Sequence, residues 1–221
     1  MDGPSSTGKS TMCQKIALKL KWNVLNSGAL YRLLAFFLNG NKNFYNLNYI
    51  KFIVSNLNVK FVYSPKYNEM RTTLHGVDVS NILQELNIGG SASYISSFYV
   101  VRRYLVQKQH QFCKLPGLVA DGRDMGTVVF PDANVKFFLY SDIYKRTYCR
   151  LLQLKKKNPN VNFKGVLKDL KKRDKRDTER EVSHLEPALD SIKIDSTDID
   201  SEELFDIIMK NIYKKIDIKK I

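Results

Sequence analysis

Short apolar runs alternate with amphipathic stretches along most of this chain, and the spacing of the apolar positions sets the kind of element each one predicts. Ile16, Leu18 and Leu20 close a helical pattern over 9–20. Residues 22–25 read as a short strand, and Ser27 stands where an N-cap would open a helix running to residue 38. A loop over 40–48 leads to a helix over about 47–57. From 59 to 79 the period falls to two: Val59, Phe61 and Tyr63 alternate, then Met70, Thr72 and Leu74, with polar residues 64–68 between them. His75-Gly76 then leads into Val77 and Val79, which together predict a small antiparallel sheet. Helices resume over 80–113 and stop at Pro116-Gly117.

The second half is simpler. Leu118-Val119-Ala120 is a strand ending at Asp121, and 135–140 is another. Helices follow over 143–156 and 163–176, then a strand over 191–194 and a helix over 201–215. Short apolar strands alternating with helices predict an α/β fold, a buried parallel sheet flanked by helices. The antiparallel run is then an inserted lobe. No internal repeat or low-complexity segment interrupts the pattern.

A length of 221 residues suits one such domain with its insertion. The net charge of +14, from 36 Lys+Arg against 22 Asp+Glu, favours anionic partners. Its distribution narrows that reading. The lysines gather in polar runs, at Lys155-Lys156-Lys157, at Lys171-Lys172 and in the tail over 210–220, and read as solvated charge. Cys13, Cys113 and Cys149 are far apart and show no metal spacing. Each falls in a helical pattern and reads as a small core hydrophobe in a reducing compartment. No apolar run approaches a membrane span and the N-terminus has no signal-peptide pattern, so the expected location is the cytoplasm.

The chemistry begins at Gly3-Pro4-Ser5-Ser6-Thr7-Gly8-Lys9-Ser10, which fits G-x-x-x-x-G-K-[ST] throughout. The glycines let the backbone wrap a phosphate chain, and the helix N-terminus that follows attracts negative charge. Lys9 is placed to reach the β- and γ-phosphates of ATP, and Ser10 to ligate Mg²⁺. Such a loop should follow a strand, yet only Met1 and Asp2 precede it. Each buried apolar strand residue contributes ~1.5–3 kcal/mol, against a total stability of ~5–15 kcal/mol. The first core strand is therefore expected upstream of this sequence; the alternative is a degenerate protein that tolerates its loss.

A second constellation is Asp121-Gly122-Arg123-Asp124, directly after a strand. Ligands of open parallel sheets bind beyond the carboxyl ends of the strands. An acid there holds the hydration shell of Mg²⁺, and an arginine clamps a phosphate through two hydrogen bonds. The plainer reading is a turn with a local Arg–Asp pair. A third is Arg173, Asp177 and Arg180, spaced to share one helix face, against the plainer reading of a solvated, salt-bridged helix. Arg146 and Arg150 have the same i, i+4 relation and suit a lid over ATP. His75, His110 and His184 are scattered, and no nucleophile–base arrangement competes.

With these residues in hand, the chain resembles bacterial cytidylate kinases over nearly its whole length. The resemblance rests on Asp2-Gly3-Pro4-Ser5, Gly8-Lys9-Ser10-Thr11, Ser27-Gly28-Ala29-Leu30-Tyr31-Arg32, the long run from Ala120 through Asp121-Gly122-Arg123-Asp124-Met125-Gly126 to Ala133, and Lys172-Arg173-Asp174 through Arg180. The central run separates this family from the adenylate, guanylate and shikimate kinases. The resemblance implies a core sheet binding ATP through residues 3–11 (Thr11 included), a lobe over about 40–113 that takes the nucleoside monophosphate, and a short lid over about 146–162. It implies that Ser93, Arg102 and Asp124 read the cytosine edge and that Arg173 and Asp177 hold the ribose. Arg32, Arg123 and Arg180 would grip the acceptor phosphate, with Ser27 and Tyr31 in the same pocket. Asn26 stands where the family usually has Asp, the family's usual Ile-Arg pattern is absent near 82–87, Thr178 replaces a common arginine, and His184-Leu185-Glu186 departs from the usual stretch.

The expectation is a monomeric enzyme that uses ATP and Mg²⁺ to phosphorylate CMP or dCMP, with Lys9, Arg123, Arg180, Arg146 and Arg150 stabilising the transferring group. No membrane or nucleic-acid partner is expected. A relaxed pyrimidine kinase that also takes UMP is the nearer alternative, and a basic nucleic-acid-binding protein with a vestigial phosphate loop the more distant one. The sequence shows no basic stripe interleaved with aromatics, which argues against the last.

Overall fold

The computed structural model describes residues 1–38, 46–156 and 158–216. The expected loop over 40–48 lies mostly outside the described residues, as do Lys157 and the end of the lysine tail. In chain order the elements are α1 (Lys9–Leu20), β1 (Asn23–Asn26), α2 (Ser27–Leu38), α3 (Leu47–Asn56), β2 (Val59–Ser64), β3 (Glu69–Leu74), β4 (Val77–Asp78), α4 (Ser80–Leu83), α5 (Leu86–Ile95), α6 (Tyr99–His110) and β5 (Leu118–Asp121). After a π-helical turn over Met125–Val129 come β6 (Phe137–Tyr140), α7 (Ile143–Lys155), α8 (Phe163–Glu179), β7 (Ile192–Asp195) and α9 (Ser201–Lys215). The chain forms two compact units, Met1–Ile16 with Gly122–Ile221, and Ala17–Asp121.

In the unit over Ala17–Asp121, β1 and β5 pair in parallel with Val24 opposite Val119 and Leu25 opposite Ala120. The helix after β1 is capped differently from the sequence expectation. Ser27 is already helical, and it is Asn26 whose Oδ1 accepts the Ala29 amide at 3.1 Å. Asn at this position meets the third orphan donor of the helix. Leu30, Leu33 and Leu34 of α2 are fully buried and carry the core of this unit.

The antiparallel insertion is present as the sheet β2-β3-β4. Its second hairpin turns through His75 and Gly76, both with positive φ, so that Leu74 faces Val77. That is the two-residue turn whose twist matches the strands it joins. Arg71 anchors the sheet. Its Nε donates to Asp78 Oδ2 at 2.8 Å and its guanidinium lies 4.6 Å from the Tyr67 ring centre.

The helical stretch over 80–113 breaks into three. At the end of α5, Ser96 Oγ donates to Ser93 O and Ser97 Oγ to Tyr94 O, taking carbonyls that a continuing helix would use. Cys113 is not a core residue: α6 has already ended at His110 and the thiol is exposed. On α6, Gln109 is completely buried, and neither its amide oxygen nor its amide nitrogen has a hydrogen-bond partner among the described residues.

In the other unit, β6 and β7 pair in parallel, Leu139 opposite Ile194. Ahead of the Gly-rich loop, Asp2 forms an isolated parallel bridge with Phe138. Asp2 N–H donates to Phe137 O and Leu139 N–H to Asp2 O, each at 2.8 Å, and Gly122 N–H donates to Met1 O at 3.1 Å. The helices α7, α8 and α9 open on Asp142, Asn162 and Asp200, whose side chains accept amides of the first turn. Helices α7 and α8 meet through Leu151, Leu154, Val166 and Leu170. No described helix is long and apolar enough to cross a membrane.

Candidate active site

The loop Gly3–Gly8 takes a shape that only its residue types permit. Gly3 has φ +136°, and a Cβ there would lie 1.9 Å from the Leu139 carbonyl oxygen. Gly8 has φ +88°, and Ser6 also turns left-handed at φ 62°. The loop closes on itself. Thr7 Oγ1 donates to Pro4 O at 3.2 Å, and the buried Lys9 ammonium reaches both Pro4 O and, at 3.2 Å, Thr7 Oγ1. Ser10 and Thr11 stand exposed in the first turn of α1. The Gly8 carbonyl accepts the Met12 amide, which continues the loop directly into the helix.

Two residues outside the expected site, Ser196 and Asp174, steady this loop. Ser196, just past β7, donates from Oγ to Thr7 O at 3.3 Å and to Tyr140 O at 3.1 Å. A serine in a polar loop gives no sequence signal of such a contact. Asp174 Oδ2 holds Arg146 Nη1 at 2.7 Å, while the same guanidinium donates to Ser141 O at 3.0 Å and Ser5 O at 3.3 Å. Arg146 is thus buried and ties α7, α8 and the phosphate loop together.

Beside the loop, the segment after β5 turns through Arg123 and the buried Asp124 into the π-helical turn. Arg123 Nε donates to Asp177 Oδ2 at 3.0 Å and its Nη1 to Gly122 O at 3.1 Å. Arg180 departs from the expected helix face. Helix α8 ends at Glu179, and Arg180 is its cap with extended backbone, its Nε donating to Ser183 O. It still lies close enough to Asp177 to act on it. Burial alone would raise the Asp177 carboxyl, but Arg123, Arg173 and Arg180 outweigh it and hold the group below the usual carboxylate range.

Arg173 shows the opposite imbalance. Burial, with repulsion from Arg123 and Arg150, pulls its guanidinium down to about 10 despite the carboxylates of Asp177 and Asp174. Among the described residues its buried Nε has no hydrogen-bond partner, nor does Oγ of Ser5 in the phosphate loop. Burial also lowers Arg150. A guanidinium keeps its charge in a folded protein, so Arg173 is a buried cation on which two carboxylates and two further arginines act. Asp174 and Asp177 thus link Arg123, Arg146, Arg173 and Arg180, with Arg150 acting on Arg173, and Arg146 reaches the loop that seats Lys9.

The remaining candidates belong to the unit over Ala17–Asp121. Ser27 and Tyr31 are buried on α2, with Arg32 half-buried on the same helix. Ser93 is buried on α5. Arg102 on α6 is 3% exposed, donates from Nη1 to Ser96 O at 2.9 Å and stands 5.5 Å from the Tyr31 ring centre. Asp121 ends β5 and is buried. Among the described residues no cluster of three or more His, Cys, Asp or Glu side chains forms a metal cage.

Residues 1–214 match the family model described as Cytidylate kinase. The chain belongs to the cytidylate kinase family. A cytidylate kinase of Azotobacter vinelandii is 43% identical over 213 residues, covering 96% of this chain and 93% of that protein. Cytidylate kinases of Pseudomonas putida and Pseudomonas aeruginosa are 43% and 42% identical, covering 92% and 96% of this chain and 90% and 93% of theirs. The cytidylate kinase resemblance drawn from the motifs thus holds over nearly the whole chain. The two residues that precede the phosphate loop carry an acid, Asp2, whose partners the motif alone did not disclose: its oxygens accept the Met125 and Gly126 amides.

Proposed function

We propose that this chain transfers the γ-phosphoryl group of ATP to the phosphate of CMP or dCMP, giving ADP and CDP or dCDP. The observation that carries the reading is the concentration of one lysine and five arginines around a phosphate loop, in a chain matched over nearly its whole length by cytidylate kinases. An acceptor-phosphate oxygen attacks the γ-phosphorus. The bond from that phosphorus to the bridging oxygen breaks, and ADP leaves with the electron pair. The acceptor phosphate is already anionic, so no strong general base is needed, and catalysis rests on positioning and charge neutralisation.

The residues then divide the work. The loop amides over 3–8 cradle the donor phosphates, Lys9 and the pair Arg146 and Arg150 neutralise the moving group, and Thr11 closes the donor site. Arg32, Arg123 and Arg180 take the acceptor phosphate. Arg173 and Asp177 take the ribose, and Ser93, Arg102 and Asp124 the cytosine edge, with Ser27 and Tyr31 lining the pocket. The exposed Ser10 hydroxyl and the Asp121 carboxylate are hard oxygen donors of the kind Mg²⁺ prefers, Asp121 through water. When bound, that ion would screen the charge on the β- and γ-phosphates. We assign the acceptor-nucleotide lobe to about 40–113 and the lid to about 146–162.

The test is coupled ADP release with ATP, Mg²⁺ and each of CMP, dCMP, UMP, AMP and GMP. Turnover confined to CMP and dCMP is the expected result. Turnover with UMP at a comparable rate makes this a broader pyrimidine kinase. No turnover with any acceptor in a folded chain rejects the proposal.

A further inference from the structure

Asp2 is 5% exposed, and none of the steps above uses it. It stands directly ahead of Gly3, and its backbone is pinned on β6 by hydrogen bonds to Phe137 O and from Leu139 N–H, each 2.8 Å long. Gly3 fits against the same Leu139 carbonyl so closely that a Cβ would lie 1.9 Å from it. The side chain therefore extends from a fixed base. Its Oδ1 accepts the Met125 amide and its Oδ2 the Gly126 amide, both at 2.8 Å.

Those two amides open the π-helical turn that directly follows Arg123 and Asp124. The first N–H groups of a helical turn have no partner inside it. A carboxylate offers two acceptor oxygens in one plane and can serve two adjacent amides together. An asparagine would offer one acceptor and one donor there. The fit is close on the far side also, since a Cβ on Gly126 would lie 3.0 Å from Lys136 Cδ and 3.4 Å from Asp2 Oδ2.

We infer that Asp2 is a positioning residue, which locks the Arg123–Asp124 segment to the donor-phosphate loop so that the two reacting phosphates meet in line. The inference rests on the phosphotransferase reading. The loop fixes the donor and Arg123 the acceptor phosphate, and Asp2 is continuous with the first and bonded to the second. A misplacement of about 1 Å between reactants costs on the order of 10²-fold in rate. Contacts within each binding site do not involve Asp2, so binding of either substrate alone is spared.

The test uses the full chain with Asp2→Asn and Asp2→Ser. It measures kcat, the dissociation constants of CMP alone and of a non-hydrolysable ATP analogue alone, and amide exchange at Met125 and Gly126. The expected result is a kcat lowered roughly 10- to 100-fold, each dissociation constant within about threefold of the unaltered chain, and faster exchange at both amides. Unchanged kcat overturns the inference. So does a loss of binding that runs parallel to the loss of rate, or variants that bind neither ligand, because Asp2 would then serve the fold alone. If the unaltered chain does not phosphorylate CMP, the activity reading falls separately, and unchanged amide exchange in the variants then overturns the inference.

Discussion

Arg123 and Asp177 lie 54 positions apart in the chain, and their side chains meet with Nε 3.0 Å from Oδ2. Arg173 and Arg180 act on the same carboxylate. One buried carboxylate thus steadies three cations. Removing one partner of a buried pair leaves the others uncompensated and costs about 3–5 kcal/mol. Asp177→Ala should lose stability on that order in urea unfolding at pH 7. Sulfate should restore more stability to the variant than to the unaltered chain. An equal response to sulfate in both would show that the arginines do not repel one another.

The same carboxylate shapes the response to acid. Its folded pKa lies below the usual value, because the three arginines outweigh the effect of burial. Stabilisation from a depressed carboxylate is complete above the unfolded value of about 3.9 and disappears as pH falls through the folded pKa. The stability difference between the unaltered chain and Asp177→Asn should therefore be flat from about pH 7 to pH 5 and shrink below about pH 4. A difference that grows on acidification would reverse the assignment.

Lys9→Ala removes an ammonium seated in the phosphate loop, where it bonds Pro4 O and Thr7 Oγ1. Loss of a charge-stabilising donor of this kind lowers turnover on the order of 10²-fold or more. Steady-state kinetics with CMP check this directly. Turnover near that of the unaltered chain would remove Lys9 from the mechanism.

Asn26 differs from the acid usual in the family, yet its Oδ1 caps α2 as an aspartate oxygen would. Asn26→Ala should cost about 1 kcal/mol of stability, while Asn26→Asp should hold or slightly raise it through the helix dipole. Thermal melts of the three proteins decide the matter. If Asn26→Asp instead shifts the ratio of CMP to UMP turnover strongly, the residue acts on substrate choice beyond its cap.

What was legible beforehand was local. The alternation through Val59, Phe61 and Tyr63 disclosed the inserted sheet, and the Gly3–Ser10 spacing disclosed the phosphate loop, because both depend on neighbours in sequence. The break of α5 at Ser96 and Ser97 was not legible, since it comes from hydroxyls competing for carbonyls that a helical pattern also satisfies. The partners of Asp2 and Arg146 escaped for a different reason. Asp2 meets residues more than 120 positions away and Arg146 a residue 141 away, and no short-range pattern encodes such meetings. The expected core role of Cys113 does not hold, because the helical pattern continues three residues past the end of α6 at His110.

Gln109 remains as a residue that none of these roles explains. Its amide is sealed inside the unit over Ala17–Asp121 with both polar ends unanswered among the described residues. Each unanswered buried polar group costs on the order of 1–3 kcal/mol. A chain that keeps such a group is not at the ceiling of its own robustness. Selection removes only what falls below the threshold for function, and an apolar side chain of similar length would be an improvement open at a single position. In evolutionary terms, α6 holds unused headroom, a reserve from which this lineage can offset later losses elsewhere in its sequence.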